Sequence, residues 1–273
     1  MIVTFEKAVT PGALASLRAH WPEYLMEAAE LAAFMVSACT FGALLFHPSS
    51  AVYQAVESDF LRSVLMGVAM GLTLVAIAHS TWGKRSGAHM NPAFTLMFYL
   101  LGKVEAWDAF FYVASQFLGG LAGVAVADWA IGLPLAHPAV NFVATVPGSG
   151  GIVPAFAAEF AISLFLALAV LTAANSPRTT QYTPWLAGLL VASFIVYEAP
   201  VSGMSMNPAR TLGSAVFADD WRALWIYFTA PPAAMLLAGA VYRWRWGADR
   251  VFCAKLHHTN PHRCIFRCKF SAM

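Results

Sequence analysis

Two short segments, one in each half of the chain, carry almost the same polar pattern. Met90–Leu96 reads Met-Asn-Pro-Ala-Phe-Thr-Leu and Met206–Leu212 reads Met-Asn-Pro-Ala-Arg-Thr-Leu, so the copies differ only at Phe94 and Arg210. The second copy begins 116 residues after the first (206 − 90). A seven-residue match at corresponding places predicts that the two halves are structural repeats.

Each Asn-Pro-Ala triplet has the residue types of a helix start. The Asn side-chain oxygen caps free backbone N–H groups, Pro suits the first helical position and Ala continues the helix. We therefore predict helix starts at Asn91-Pro92-Ala93 and at Asn207-Pro208-Ala209. The Asn NH2 groups then remain free to hold the oxygen of a neutral molecule, while two positive helix ends repel cations.

Arg210 adds a lone cation to the first turn of the second predicted helix, where the helix dipole disfavours it. Charges inside a membrane are costly and usually functional. Because the first copy has Phe94 at this place, the repeat itself does not require the charge. We interpret Arg210 as a selectivity-filter residue; the alternative is a surface Arg that reaches lipid headgroups.

The composition indicates a protein that spans a membrane several times. Apolar residues make up 59% of the 273 residues and charged residues 11%, with a mean hydropathy of +0.64. Soluble domains have about 45–50% apolar and about 25% charged residues. The net charge of +2 and the lack of a long basic run give no support for a nucleic-acid partner. The four cysteines are too few and too unevenly placed for a disulfide framework.

Six apolar runs are long enough to cross a bilayer as helices; they lie near 22–46, 60–81, 104–131, 155–175, 182–200 and 221–243. Two shorter apolar segments, 91–101 and 207–217, would span about 16 Å, or half a membrane, as helices. We predict an all-α membrane protein with six transmembrane helices and two re-entrant half-helices.

The basic residues indicate the orientation. With six spans, thirteen of the 16 Lys and Arg residues fall on one side, which is typical of the cytoplasmic side. We therefore predict a cytoplasmic N-terminal segment (1–21), a channel domain (22–243) and a cytoplasmic basic tail (244–273). The absence of an Asn-x-Ser/Thr glycosylation sequon favours a bacterial plasma membrane.

Three spans per half make the repeat inverted, because the second half (155–243) must enter the membrane opposite to the first (22–131). Such repeats place the transport site near the midplane, where broken helices meet. Ala-Glu pairs open the first and fourth spans, and we expect Glu30 and Glu159 to bind backbone groups of their own half's loop. We expect His89 to fix the first loop by hydrogen bonding.

In these residues the chain resembles the major intrinsic protein family, the aquaporins and glycerol facilitators. Ser86–Ala93 and Gly203–Arg210 match the two family signatures, and the likeness covers about 22–243. The resemblance implies a homotetramer in a lipid bilayer, one pore per subunit and no cofactor for transport. It also implies Arg210, Met70, Ile195 and Met204 as the filter.

The resemblance is closer to the water channels than to the glycerol facilitators. Thr211 stands where glycerol facilitators usually carry Asp, and Ala215 and the Tyr227-Phe228 pair are typical of water channels. Water channels usually have Phe and His in the filter, so the Met and Ile residues here leave small neutral solutes such as glycerol as an alternative.

Other function classes have less support. We find no catalytic triad, phosphate-binding loop or paired acids, so an enzyme or ATP-driven pump is not predicted. A coupled secondary transporter would also fit an inverted repeat with broken helices. Such a transporter needs ionisable groups on the substrate path, and Arg210 does not shuttle protons.

The tail concentrates metal-binding residue types, with three Cys and three His between Cys253 and Cys268. We predict a tetrahedral metal site, with zinc ahead of iron or copper, formed by Cys253, His257, Cys264 and Cys268. His258 and His262 are alternatives to His257. The competing interpretation is a basic tail that binds anionic lipid.

Overall fold

The computed structural model describes residues 12–270. In this part of the chain there are twelve α-helices and three 3-10 turns, and no strand. The helices are α1 (Ala13–Phe46), α2 (Ala51–Ala55), α3 (Asp59–His79), α4 (Thr81–Ser86), α5 (Pro92–Leu100), α6 (Ala106–Ile131), α7 (Leu133–Ala136), α8 (Ile152–Ala174), α9 (Thr183–Tyr197), α10 (Ala199–Ser202), α11 (Pro208–Ala218) and α12 (Leu224–Trp246). The 3-10 turns are Asn141–Val143, Thr180–Tyr182 and Ala248–Arg250.

The predicted all-α architecture of six spans and two half-helices is confirmed. Five helices, α1, α3, α6, α8 and α12, are long and apolar enough to cross a membrane. The predicted fifth span, α9, has 15 residues, or about 22 Å of helix. It is extended by the 3-10 turn before it and, after a break at Glu198, by α10. The half-helices α5 and α11 have 9 and 11 residues.

The first span begins earlier than the predicted boundary at residue 22. Helix α1 starts at Ala13 and contains Pro22, so the predicted N-terminal segment 1–21 ends inside a helix, and its residues 1–11 lie outside the described part. Contacts with α6 hold this turn: His20 Nδ1 and the Tyr24 hydroxyl both lie within hydrogen-bond distance of Asp108 Oδ1, at 2.7 and 2.6 Å. These side-chain bonds tie the turn that contains Pro22 to α6.

The helices pack in pairs that repeat between the halves. Helix α1 packs on α6, α8 packs on α12, and α3 packs on α9 across the two repeats. Both half-helices lie against α6 and α12, and their first turns contact each other. This arrangement brings the two Asn-Pro-Ala triplets together.

Two glycines allow the second half-helix to approach α6 closely. A Cβ atom added at Gly213 of α11 would lie 2.6 Å from the carbonyl oxygen of Gly120, and one at Gly120 would lie 2.5 Å from the carbonyl oxygen of Ala209. Both distances are below van der Waals contact with backbone atoms that are fixed in helices. The depth of α11 in the bundle therefore depends on glycine at both positions.

Candidate functional site

The two half-helices begin at the two Asn residues. Asn91 Oδ1 accepts a hydrogen bond from Ala93 N at 2.9 Å. Asn207 Oδ1 accepts from Ala209 N at 3.0 Å and from Arg210 N at 3.2 Å. Both Asn residues have extended backbones, and Pro occupies the first helical position after each. These are the contacts of helix N-caps.

Each Asn amide also bonds to the opposite repeat. Asn91 Nδ2 donates to the carbonyl oxygen of Met206, and Asn207 Nδ2 donates to that of Met90, both at 2.7 Å. We expected both NH2 groups to stay free of protein partners. That expectation was wrong, because one N–H of each amide is used in a bond to the other repeat. One N–H per Asn ties the repeats together, and the other has no hydrogen-bond partner among residues 12–270.

The loops before the half-helices have matching backbone conformations. The φ angles are +54° at Ala88 and +48° at Met90, and +50° at Met204 and +54° at Met206. Non-glycine residues in this region cost on the order of 1–3 kcal/mol each, so surrounding contacts must hold them. Residues of both loops line the same cavity.

A buried acid holds the second loop. Glu159 accepts from Ser205 N and Met206 N, both at 2.7 Å, and from the Ser202 hydroxyl at 2.8 Å. Its side chain is fully buried. The carboxylate therefore satisfies two backbone donors in a strained, buried segment.

In the first loop this contact belongs to Glu27, not to Glu30. Glu27 accepts from His89 N at 2.8 Å, from Met90 N at 2.7 Å and from Gln116 Nε2 at 2.7 Å. Within the described part of the chain, Glu30 accepts hydrogen bonds from the Ser86 hydroxyl alone, at 2.8 and 3.0 Å. The predicted equivalence of Glu30 with Glu159 is thus corrected: Glu27, one helical turn earlier, meets the backbone. The Ala-Glu match between the repeats did not indicate whether Glu27 or Glu30 faces the loop.

A cavity of about 360 Å³ passes the two Asn residues. Val140 and Val143 line it at one end, in the loop after the third span, and Leu256 lines it at the other, after the sixth. Three spans separate these segments, so they lie on opposite faces of the bundle. Most of the lining is apolar; the polar side chains are Ser63, His89, Asn91, Ser205, Asn207 and Arg210.

The residues predicted for the filter, Met70, Ile195, Met204 and Arg210, all line this cavity. Arg210 Nη1 is buried and has no hydrogen-bond partner among residues 12–270. Met70 is 2% exposed, and its sulfur lies 3.9 Å from the Ser37 hydroxyl. The guanidinium thus offers a donor inside a mostly apolar space.

A model of the major intrinsic protein family matches residues 19–242. The chain belongs to the major intrinsic protein family. The protein is therefore a membrane channel for water or small solutes, and not an enzyme.

Curated relatives support this membership. Aquaporin NIP1-2 of Arabidopsis thaliana is 35% identical over 209 residues, covering 73% of this chain and 69% of the relative. Aquaporin TIP4-4 of Zea mays is 34% identical, covering 76% and 84%. Aquaporin Z of Rhodopseudomonas palustris is 30% identical, covering 66% and 78%.

A solved structure supports the fold alone. The X-ray structure of the aquaglyceroporin from Plasmodium falciparum superposes with a TM-score of 0.66 at 17% identity. The match covers 82% of this chain and 95% of that one. At this identity only the shared architecture follows for the present chain.

His89 connects the first loop to the tail. Its Nδ1 lies 3.1 Å from the Thr95 hydroxyl, and its Nε2 lies 2.7 Å from the carbonyl oxygen of Ala254. The ring stacks between Phe98 and Phe266, with ring centroids 5.3 Å away on each side. Both ring nitrogens are engaged, so His89 fixes the loop rather than moving freely in the cavity.

The described part of the tail is folded against the channel. Val251, Cys253 and Ala254 are fully or almost fully buried, and Leu256 N donates to the carbonyl oxygen of Gly87 at 3.1 Å. Several basic side chains bind protein groups; Arg267, for example, contacts Glu105 at 2.5 Å. Residues 271–273 of the predicted tail lie outside the described part.

Four Cys and His side chains converge in the tail. The ligand atoms of Cys253, His258, Cys264 and Cys268 all lie within 4.8 Å of one another. His258 takes the place predicted for His257, whose ring instead contacts that of His79 at 4.7 Å between centroids. The prediction of His257 rested on helical spacing, and this segment is not helical.

The cluster lowers the pKa of two of its thiols. Hydrogen bonding by the Cys253 thiol holds the pKa of Cys264 and Cys268 below the usual range. The pKa of Cys253 is raised because that thiol keeps the shared proton. Thiolates are the form in which cysteines bind metals.

Several supporting residues were not predicted from the sequence. Gln116 of α6 is fully buried and bonds Glu27, and the hydroxyls of Tyr112 and Tyr227 donate to the carbonyls of Ser86 and Ser202. A usable signal was present, since Ser86 and Ser202 occupy the same place in the two copies. The repeated Ser could have indicated that polar residues of the spans, such as Tyr112 and Tyr227, bind the backbone of the two loops.

Proposed function

We propose that the protein is a passive water channel that excludes ions and protons. The observation that carries this proposal is the pair of opposed half-helix starts at Asn91 and Asn207, both of which line one cavity. Each Asn keeps one N–H to offer to the oxygen of a passing water. A water that accepts there is oriented with its hydrogens away from the midplane.

Cation exclusion in this proposal has two sources. The positive ends of α5 and α11 face the same point, which disfavours a cation there. Arg210 adds a full charge to the cavity wall. Exclusion by an Arg and by half-helix dipoles is already known for aquaporin-type pores, and we extend it to these residues.

The filter in this proposal consists of Arg210, Met70, Ile195 and Met204. The three residues other than Arg210 have apolar side chains, and two of these three are flexible Met thioethers. Such side chains offer few hydrogen bonds to a polyol. Thr211 follows the Arg, as in water channels, and its hydroxyl bonds to Thr145 at 2.9 Å. We therefore favour water over glycerol as the main substrate.

Facilitated passage of small neutral solutes is the second candidate function. It is favoured by the presence of Ile195 at a filter position where water channels usually have His. With an apolar residue there, Arg210 has no second rigid hydrogen-bond donor beside it in the filter. A proton-coupled transporter has less support. Among the described residues that line the cavity, His89 and Arg210 are the ionisable ones, and both His89 nitrogens have protein partners.

We also propose a homotetramer in the plasma membrane, or the inner membrane of a bacterium, with both termini in the cytoplasm. The tetramer is typical of the family, and the orientation is supported by the basic residues of the sequence. A metal in the tail would serve the folding of the tail, because none of the four clustered Cys and His residues lines the cavity.

The test compares water and glycerol permeability in the same proteoliposomes. Stopped-flow light scattering follows vesicle shrinkage under an impermeant osmolyte and then under glycerol. We expect fast water efflux and glycerol entry close to that of empty vesicles. Fast glycerol entry would assign the solute-facilitator function, and water efflux equal to that of empty vesicles would refute a channel.

A further inference from the structure

The tail beyond the sixth span contains a cluster that conduction does not use. Cys253 lies in a segment without regular secondary structure, His258 precedes a bend, and Cys264 and Cys268 follow it. Asn260 forms the bend: its N–H donates to the His258 carbonyl at 2.7 Å, and its Oδ1 accepts from His262 N at 2.9 Å. The bend returns the chain so that all four ligand atoms meet.

The distances in the cluster match a tetrahedral metal site better than a disulfide. Cys253 Sγ and Cys264 Sγ are 3.5 Å apart, and Cys268 Sγ lies 2.9 Å from His258 Nε2. A disulfide requires about 2.05 Å between sulfurs. With Zn–S near 2.3 Å and Zn–N near 2.0 Å, the edges of a zinc tetrahedron are roughly 3.5–3.8 Å. The Cys253–Cys264 separation equals the lower edge of that range, the Cys268–His258 separation is shorter, and all four ligand atoms lie within 4.8 Å of one another.

Neighbouring groups suit negatively charged thiolates. The backbone N–H of Phe270 points at Cys268 Sγ at 3.4 Å, and the ring of Phe270 stacks on His258 with centroids 4.2 Å apart. Lys255 is 2% exposed, and its Nζ donates to the carbonyls of Lys84 and Arg263, both at 2.8 Å. These contacts orient the ligands and place a cation beside the cluster.

We propose that Cys253, His258, Cys264 and Cys268 bind one Zn²⁺ per chain as a structural site. Three cysteines and one histidine form a donor set that is typical of closed structural zinc sites. The segment from Val251 to Phe270 has little regular secondary structure of its own, and a metal supplies the cross-links that such a segment lacks.

The experiment measures zinc in purified full-length protein by inductively coupled plasma mass spectrometry. We expect one zinc per chain, lost in C264S/C268S and in His258→Ala. The matched control is His257→Ala, which removes the neighbouring imidazole and keeps the metal. X-ray absorption is expected to show three sulfur ligands near 2.3 Å.

Size-exclusion elution reports whether each variant is folded. Zinc content that is the same in wild type and in C264S/C268S would overturn the site. Loss of zinc in His257→Ala together with retention of zinc in His258→Ala would overturn the assignment of His258 as a ligand. An X-ray absorption spectrum without sulfur ligands would overturn the assignment of the cysteines.

A separate observation concerns the end of the cavity. The side chain of Leu256 lines the cavity wall and is 6% exposed. Its backbone is fixed by the bond from Leu256 N to Gly87 O at 3.1 Å. Two residues earlier, the Ala254 carbonyl meets His89 Nε2 at 2.7 Å. The tail is therefore anchored to the loop that precedes the first half-helix.

We infer that Leu256 restricts the pore at the tail side, so that the tail limits water flow. This inference rests on the proposed channel function. An isobutyl group at the mouth narrows the path, and shortening it removes bulk without touching the two Asn residues or the filter.

The test compares the water permeability per chain of Leu256→Ala with that of wild type. The matched control is Val251→Ala, which shortens another buried tail residue that does not line the cavity. We expect a several-fold increase for Leu256→Ala and none for Val251→Ala. A conducting wild type with an unchanged Leu256→Ala refutes the restriction alone. Folded wild type and variant that are both impermeable refute the channel.

Discussion

The two acids in the first span provide a sharp test of how the loops are held. Glu27 presents one oxygen to His89 N and the other to Met90 N and Gln116 Nε2. In Glu27→Gln, an NH2 group replaces one of these oxygens and faces a buried donor. Leaving one buried donor unsatisfied costs about 1–3 kcal/mol.

Glu30→Gln is the matched variant. Both Glu30 oxygens lie near the Ser86 hydroxyl, so the glutamine keeps an acceptor for it. We expect Glu30→Gln to lower the free energy of unfolding by less than about 1 kcal/mol. The Ser86 hydroxyl can reorient towards the remaining oxygen, and a neutral hydrogen bond contributes about 1 kcal/mol.

The assay is thermal unfolding of the detergent-purified protein, followed by tryptophan fluorescence. For a chain of this size, about 1 kcal/mol lowers the midpoint temperature by roughly 2–4 °C. We therefore expect a decrease of roughly 2–12 °C for Glu27→Gln and less than about 4 °C for Glu30→Gln. A larger decrease for Glu30→Gln than for Glu27→Gln would refute the assignment of the backbone contacts to Glu27.

Three further substitutions test the pore and its packing. Arg210→Val removes the filter cation, so glycerol and urea entry into proteoliposomes should increase, whereas Arg178→Val in an exposed turn should leave entry unchanged. Ile195→His adds bulk and a donor to the cavity wall, so any glycerol flux should fall; an unchanged flux would remove this residue from the filter. Gly213→Ala places a methyl group 2.6 Å from the Gly120 carbonyl oxygen, and the yield of folded protein on size exclusion should drop sharply; a wild-type yield would contradict the close approach.

The sequence predicted the architecture because the repeated pattern is a local signal. Capping by Asn91 and Asn207 needs only neighbours in the chain, so the triplet alone indicates a helix start. The half-helix lengths followed from the apolar segments behind each triplet. Three spans per half then dictated the inversion.

The sequence did not predict contacts that depend on which face of a helix meets a loop. Glu27 and Glu30 are three residues apart, and packing of α1 on α6 decides which of them reaches the backbone. His257 and His258 present the same problem in a segment without a regular period. The cross-repeat bonds of the Asn amides likewise appear only when both loops are placed in space.

The central claim is that the opposed half-helix starts conduct water and exclude protons. Water and proton permeability measured in the same proteoliposomes, with osmotic shrinkage for water and an internal pH dye for protons, test it most directly. The account predicts fast water flux with a low activation energy and proton flux equal to that of empty vesicles. Proton flux that increases with the amount of protein, or water flux no faster than through lipid, would contradict it.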